Sequence, residues 1–136
     1  MYEGTEDKKR YLRRYLDAEN MIRCLEEDLE RERAAFLLRS QAYDDMPHSS
    51  GTNNADLSNM AAKMDEILME IRRELDRKYA IRREIIHRLS SMQNEREECV
   101  LWYRYLMGLK WEEIAERMGY DLRFVYRIHG SALQHF

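Results

Sequence analysis

A single proline, Pro47, and a neighbouring glycine, Gly51, separate two long stretches in which apolar side chains recur at steps of three and four. Such a pattern confines the chain to helices, because that spacing lines one face of a 3.6-residue turn and nothing inside the runs breaks it. From about Glu6 to Ala42 the stripe passes through Tyr11, Tyr15, Ala18, Ile22, Leu25, Leu29 and Phe36. Glu32 stands where one more apolar residue is expected. A second stripe follows at Leu57, Met60, Met64, Ile67, Ile71, Leu75, Tyr79, Ile86 and Leu89, with an extra four-residue step near Leu75 that resembles a stutter. Between them, residues 43–56 collect Pro47, Gly51, serines and asparagines, which favour turns. The expectation is an antiparallel helical hairpin over residues 1–93 with its loop at 43–56. Each arm would be roughly 50 to 55 Å long at 1.5 Å per residue.

A two-helix hairpin buries little surface alone, and Leu12, Leu16, Leu68 and Met69 lie outside its stripes. They imply a partner surface, either a second copy in a four-helix arrangement, with a dimer favoured, or the rest of the chain folded back.

Ser90, Ser91 and Asn94 close the second helix, and Asn94 with Glu97 has the spacing of a helix N-terminus. A compact domain is expected over 94–136, with helices near Glu95–Met107, Trp111–Met118 and Leu122–Gln134 and a stop at Gly108. In the stretch LKWEEIAERMGYDLRFVYRIHG, Ile114 and Met118 share one face, and Ala115 permits close helix approach. Gly119 suits a positive-φ corner, Tyr120 closes it, and Asp121 can cap the next helix. Val125 and Ile128 return apolar groups to the core. These seven residues, Ile114, Ala115, Met118, Gly119, Tyr120, Val125 and Ile128, fill the structural slots of a helix-turn-helix.

The outer face of the second helix is then Leu122, Arg123, Tyr126, Arg127 and Gly130, flanked by Phe124 and His129. Arginine can grip guanine edges or phosphates and tyrosine can reach phosphate oxygens, so Leu122, Arg123, Tyr126, Arg127 and His129 are the expected DNA-binding set. No acidic residue occurs from Leu122 to Phe136, although the chain carries a net charge of −3. That overall charge excludes a generally polybasic binder, so contact with DNA must be local. Asp121 dissents, since a carboxylate at that turn repels the DNA backbone. Pairing the hairpin arms also places Glu26, Glu27, Asp28 and Glu30 opposite Arg72 and Arg73. The same register sets Lys8, Lys9, Arg10, Arg13 and Arg14 beside Arg82, Arg83, His87 and Arg88. A phosphate-contacting collar of Arg13, Arg14, Arg82, Arg83 and Arg88 is expected there.

The stretch VLWYRYLMGLKWEEIAERMGYDLRFVYRIHGSAL resembles the region-four-like helix-turn-helix of sigma-70 factors, in the form found in phage regulators of the ArpU and RinA type. Upstream, DDMPHSSGTNNADLSNMAAKMDEI is similar to a phage-associated helical family of Gram-positive bacteria. The resemblance implies a phage or prophage regulator of late transcription, binding promoter DNA, with RNA polymerase as a further implied partner. By position it makes Arg123, Tyr126 and Arg127 DNA-facing. Asp121 departs from the serine common at that turn. Nothing recognisable as a promoter-melting domain is present, so an activator-like protein is expected rather than a complete sigma factor.

Two other classes compete. A small-terminase-like packaging subunit also joins a helix-turn-helix to assembly helices, but usually in the opposite order. A protein-only interaction module would leave Arg123 and Arg127 without a role in DNA binding. Catalysis is the least supported class: His48, His87, His129 and His135 are scattered and no nucleophile set or phosphate loop appears. Cys24 and Cys99 lack CxxC partners and are expected as reduced, buried thiols, with neither metal nor cofactor. No apolar run nears the roughly 20 residues that cross a bilayer, and the N-terminus lacks a signal-peptide core. An intracellular protein without membrane contact is therefore expected, and the resemblance implies a place on the nucleoid in a bacterial cytoplasm.

Overall fold

The structure, a computed structural model, describes residues 4–44 and 52–136. Regular structure among them is entirely helical: α1 (Thr5–Asp44), α2 (Thr52–Ser90), α3 (Glu95–Leu101) running on as a π-helical turn (Trp102–Leu106), α4 (Trp111–Met118) and α5 (Leu122–His135). The all-α hairpin followed by short helices is thus present. Its loop is shorter than the polar composition of 43–56 implies, because α2 already begins at Thr52. Small polar side chains are tolerated in a first helical turn, where N–H groups lack intrahelical partners. Pro47 and Gly51 lie outside the described residues.

The chain forms two compact units. Asn20–Asp76 contains the loop-side halves of α1 and α2. Here Lys63 meets Glu32 at 2.8 Å, and the Arg39 Nε donates to Asp56 at 2.7 Å, which fixes an antiparallel register. Ile22 and Ile67 are buried, whereas Met21, Leu37, Leu38, Leu68 and Met69 are exposed. Arg73 lines one groove with Asp28 of α1, as the register predicts, but its ion pair at 2.9 Å is with Glu70 on its own helix. An intrahelical partner three residues away costs less side-chain ordering than one across the pair. Cys24 is exposed, contrary to the expectation of a buried thiol.

The other unit joins the chain up to Glu19 to Arg77–Phe136, so residue 94 does not begin a separate body. Arg14 pairs with Glu84 at 2.8 Å and Lys78 with Glu19 at 3.5 Å, again antiparallel. One core combines Leu12, Tyr15 and Ala18 of α1 with Ile81, Ile85 and Leu89 of α2. Leu101, Tyr105 and Leu106 of α3 and its π turn join them, as do Ala132, Leu133 and Phe136. Leu12 is therefore covered by the C-terminal helices rather than by another copy. Tyr79 is exposed, and the stripe continues through Ile81 and Ile85. Lys78 lies near that level, with its ammonium 5.6 Å from the Tyr15 ring centre.

A second core of Val100, Ile114, Ala115, Val125 and Ile128 sits within the same unit. The α3 segment serves both cores, and its π turn replaces the uninterrupted helix expected to Met107. There the Met107 N–H reaches back five residues to the Trp102 carbonyl at 3.1 Å. Gly108, at φ +69°, then reverses the chain, and the Leu109 N–H bonds the Tyr103 carbonyl at 3.0 Å. A Cβ on Gly108 would stand 3.4 Å from Leu16, so this corner is closely packed as well as left-handed. Among the described residues no helix is long and apolar enough to cross a membrane.

Candidate nucleic-acid interface

The turn that presents α5 is built from local hydrogen bonds. At the start of α4 the Lys110 N–H donates to the Glu113 carboxylate at 3.3 Å. At its end Gly119 adopts φ +71°, and the Tyr120 N–H bonds the Ala115 carbonyl at 3.0 Å. The Asp121 carboxylate accepts from the Phe124 N–H at 2.8 Å, capping α5. Ile114, Ala115, Val125 and Ile128 are buried, Met118 and Tyr120 pack half-buried around them, and Gly119 makes the corner. All seven scaffold residues thus occupy the positions their spacing predicts. The Tyr120 ring meets the Phe124 ring edge-on at 4.8 Å and locks the corner.

Arg123, Tyr126, Arg127, Gly130 and Gln134 are exposed along α5, and Leu122 is half-buried at its start. His129, expected beside them, is not on this face: it is 9% exposed, and its Nε2 shares a 2.8 Å hydrogen bond with the Tyr105 hydroxyl. Trp111 lies edge-on to it with ring centres 4.6 Å apart. Burial, reinforced by the charges of Lys9, Arg104 and Arg13, lowers its pKa to about 4, so the ring is neutral at pH 7. Tyr105 is pushed above the ordinary phenol range, chiefly by burial. This histidine is a core residue with a satisfied polar atom, and not a DNA contact.

Several residues that organise the surroundings of α5 escape a reading of periodicity. Trp111 meets Tyr126 edge-on at 5.3 Å, and the Arg104 guanidinium lies 4.3 Å over the Trp111 ring. These contacts hold the exposed Tyr126 ring in place. Arg104 also donates to the Leu109 carbonyl at 3.0 Å. On the other flank, Glu97 is buried and accepts from the Ser131 hydroxyl at 2.6 Å, and it pairs with His135 Nδ1 at 2.7 Å. Burial would raise that carboxyl, but the bonds from Ser131 and His135 outweigh it and hold it below its ordinary range. Asn94 caps α3 as expected, accepting from the Arg96 and Glu97 N–H groups at 3.0 and 3.2 Å. The Glu97 side chain is instead committed to α5. Its position three residues before Val100, on the core-facing side of α3, is the signal that could have marked it.

The basic collar is largely engaged within the fold. Arg14 serves Glu84, Arg82 lies 5.8 Å from the Trp102 ring centre, and Arg88 stacks on Phe136 at 4.1 Å while donating to its carbonyl at 2.9 Å. Arg13 and Arg83 are exposed. Cys99 is a half-buried free thiol, its pKa raised mainly by burial.

No protein-family model matches the chain, and neither a curated protein nor a solved structure matches it.

Proposed function

We propose that the protein is a DNA-binding transcriptional regulator of the phage or prophage type, reading duplex DNA with the exposed face of α5. The observation that carries this reading is the acid-free α5 face. Arg123, Tyr126 and Arg127 project from a helix whose opposite side is fixed by Val125, Ile128, Ala132 and Leu133, and no carboxylate follows Asp121 to the end of α5. A rigid helix with two arginines in its N-terminal half suits entry into the major groove, where guanidinium groups reach guanine edges or phosphates. The exposed carboxylates of α4, Glu112, Glu113 and Glu116, would be kept off the phosphates, which leaves α5 as the approaching element.

In this reading the protein acts in the bacterial cytoplasm on nucleoid DNA, as an activator-like factor that also touches RNA polymerase. The exposed apolar side chains of Asn20–Asp76, including Leu68 and Met69, join two copies. Because Arg123 and Arg127 support no core packing, replacing each with alanine should leave the melting profile unchanged. Each substitution should cost about 1–3 kcal/mol of specific DNA affinity. Intact binding by the double variant would sink the assignment of α5 as the reading helix.

A further inference from the structure

Gly130 lies inside α5, on the exposed face, one turn beyond Arg127. Neither conformation nor internal packing asks for glycine there. Its φ is not positive, since among the described glycines only Gly108 and Gly119 are left-handed. A Cβ built on it meets nothing within 4 Å. A glycine in a helix interior destabilises the helix relative to alanine, so this position gives up stability for no contact within the protein. What it leaves is a notch at which something outside can approach the helix backbone.

The surroundings define the chemistry of that visitor. Arg123, Arg127, Gly130 and Gln134 form an exposed row without a large aliphatic side chain, as a packed protein helix would require. Lys8 of α1 donates its ammonium to the Gln134 carbonyl at 3.2 Å, which brings the basic start of α1 alongside this end of α5. We infer that the notch over Gly130 seats the sugar-phosphate backbone of bound duplex DNA, with Arg127 and Lys8 as its cationic rim. The step rests on the regulator reading above and adds the point of closest approach.

The test compares the whole protein with Gly130→Ala and Lys8→Gln on a labelled duplex enriched from a random library, titrated by fluorescence anisotropy over a series of salt concentrations. Gly130→Ala should raise the melting temperature, because alanine is the better helix former, and yet bind the duplex about tenfold more weakly. Lys8→Gln should make the slope of log affinity against log salt shallower by about one. Binding by Gly130→Ala within about twofold of the parent overturns the seat, as does a loss of affinity that comes with a lowered melting temperature. A changed particle mass of that variant, by light scattering, would show that the notch meets a second copy, and would also overturn it. An unchanged slope for Lys8→Gln overturns the rim. Absence of any duplex binding by the parent protein is the failure of the regulator reading itself, and is told apart at that first titration.

Discussion

At neutral pH the His129 imidazole is uncharged, because charging it would place a cation in a core wall already facing Lys9, Arg104 and Arg13. In the unfolded chain the same ring takes up a proton near pH 6.5, whereas in the folded protein it does so near 4. Its contribution is therefore complete above pH 6.5 and declines as the pH falls toward 4. Urea unfolding should show roughly 2–3 kcal/mol less stability at pH 4.5 than at pH 7. His129→Phe should lose most of that dependence, and a flat profile for the parent protein would contradict the buried, neutral assignment. Sequence periodicity placed His129 at the edge of the α5 face, where a shift of a few tens of degrees decides between groove and core. Tyr105 and Trp111 decide it, and both come from other segments. Ile114, Val125 and Ile128 were legible because each lies well inside its stripe.

The turn and caps of the α4–α5 corner are made within a few residues of chain. Gly119 supplies the left-handed residue, Asp121 the cap, and Ala115 and Phe124 the backbone partners. Turn and cap chemistry of this kind acts within a few residues, which is why the corner could be read from sequence. The π turn at Trp102–Leu106 could not, since it reflects the demand that one segment face two cores. Asp121 also carries a functional prediction. Asp121→Ala should cost about 1 kcal/mol of stability through the lost cap. Asp121→Ser keeps an acceptor and removes a negative charge ahead of α5, so it should hold stability and tighten DNA binding, most at low salt. Equal affinity of Asp121→Ser and the parent protein across the salt series would place Asp121 away from the phosphates.

For the molecule as a whole, the two-helix pattern announced the hairpin but not how its ends are used. Contacts such as Tyr11 on Phe136, at 5.9 Å, link residues far apart in the chain and leave no periodic trace. They tie the starts of α1 and the ends of α2 to the C-terminal helices and occupy Arg82 and Arg88, which charge patterning alone assigned to DNA. The Asn20–Asp76 unit retains exposed Leu68 and Met69, the surface proposed to pair with a second copy. Selection of duplex DNA from a random library on the purified protein tests the regulator reading and this pairing together. The expected result is one enriched motif bound in strong preference to random duplex, arranged as two related half-sites if the protein binds as a dimer. Enrichment of no motif, or binding that is only salt-sensitive and indifferent to sequence, would contradict a sequence-reading α5.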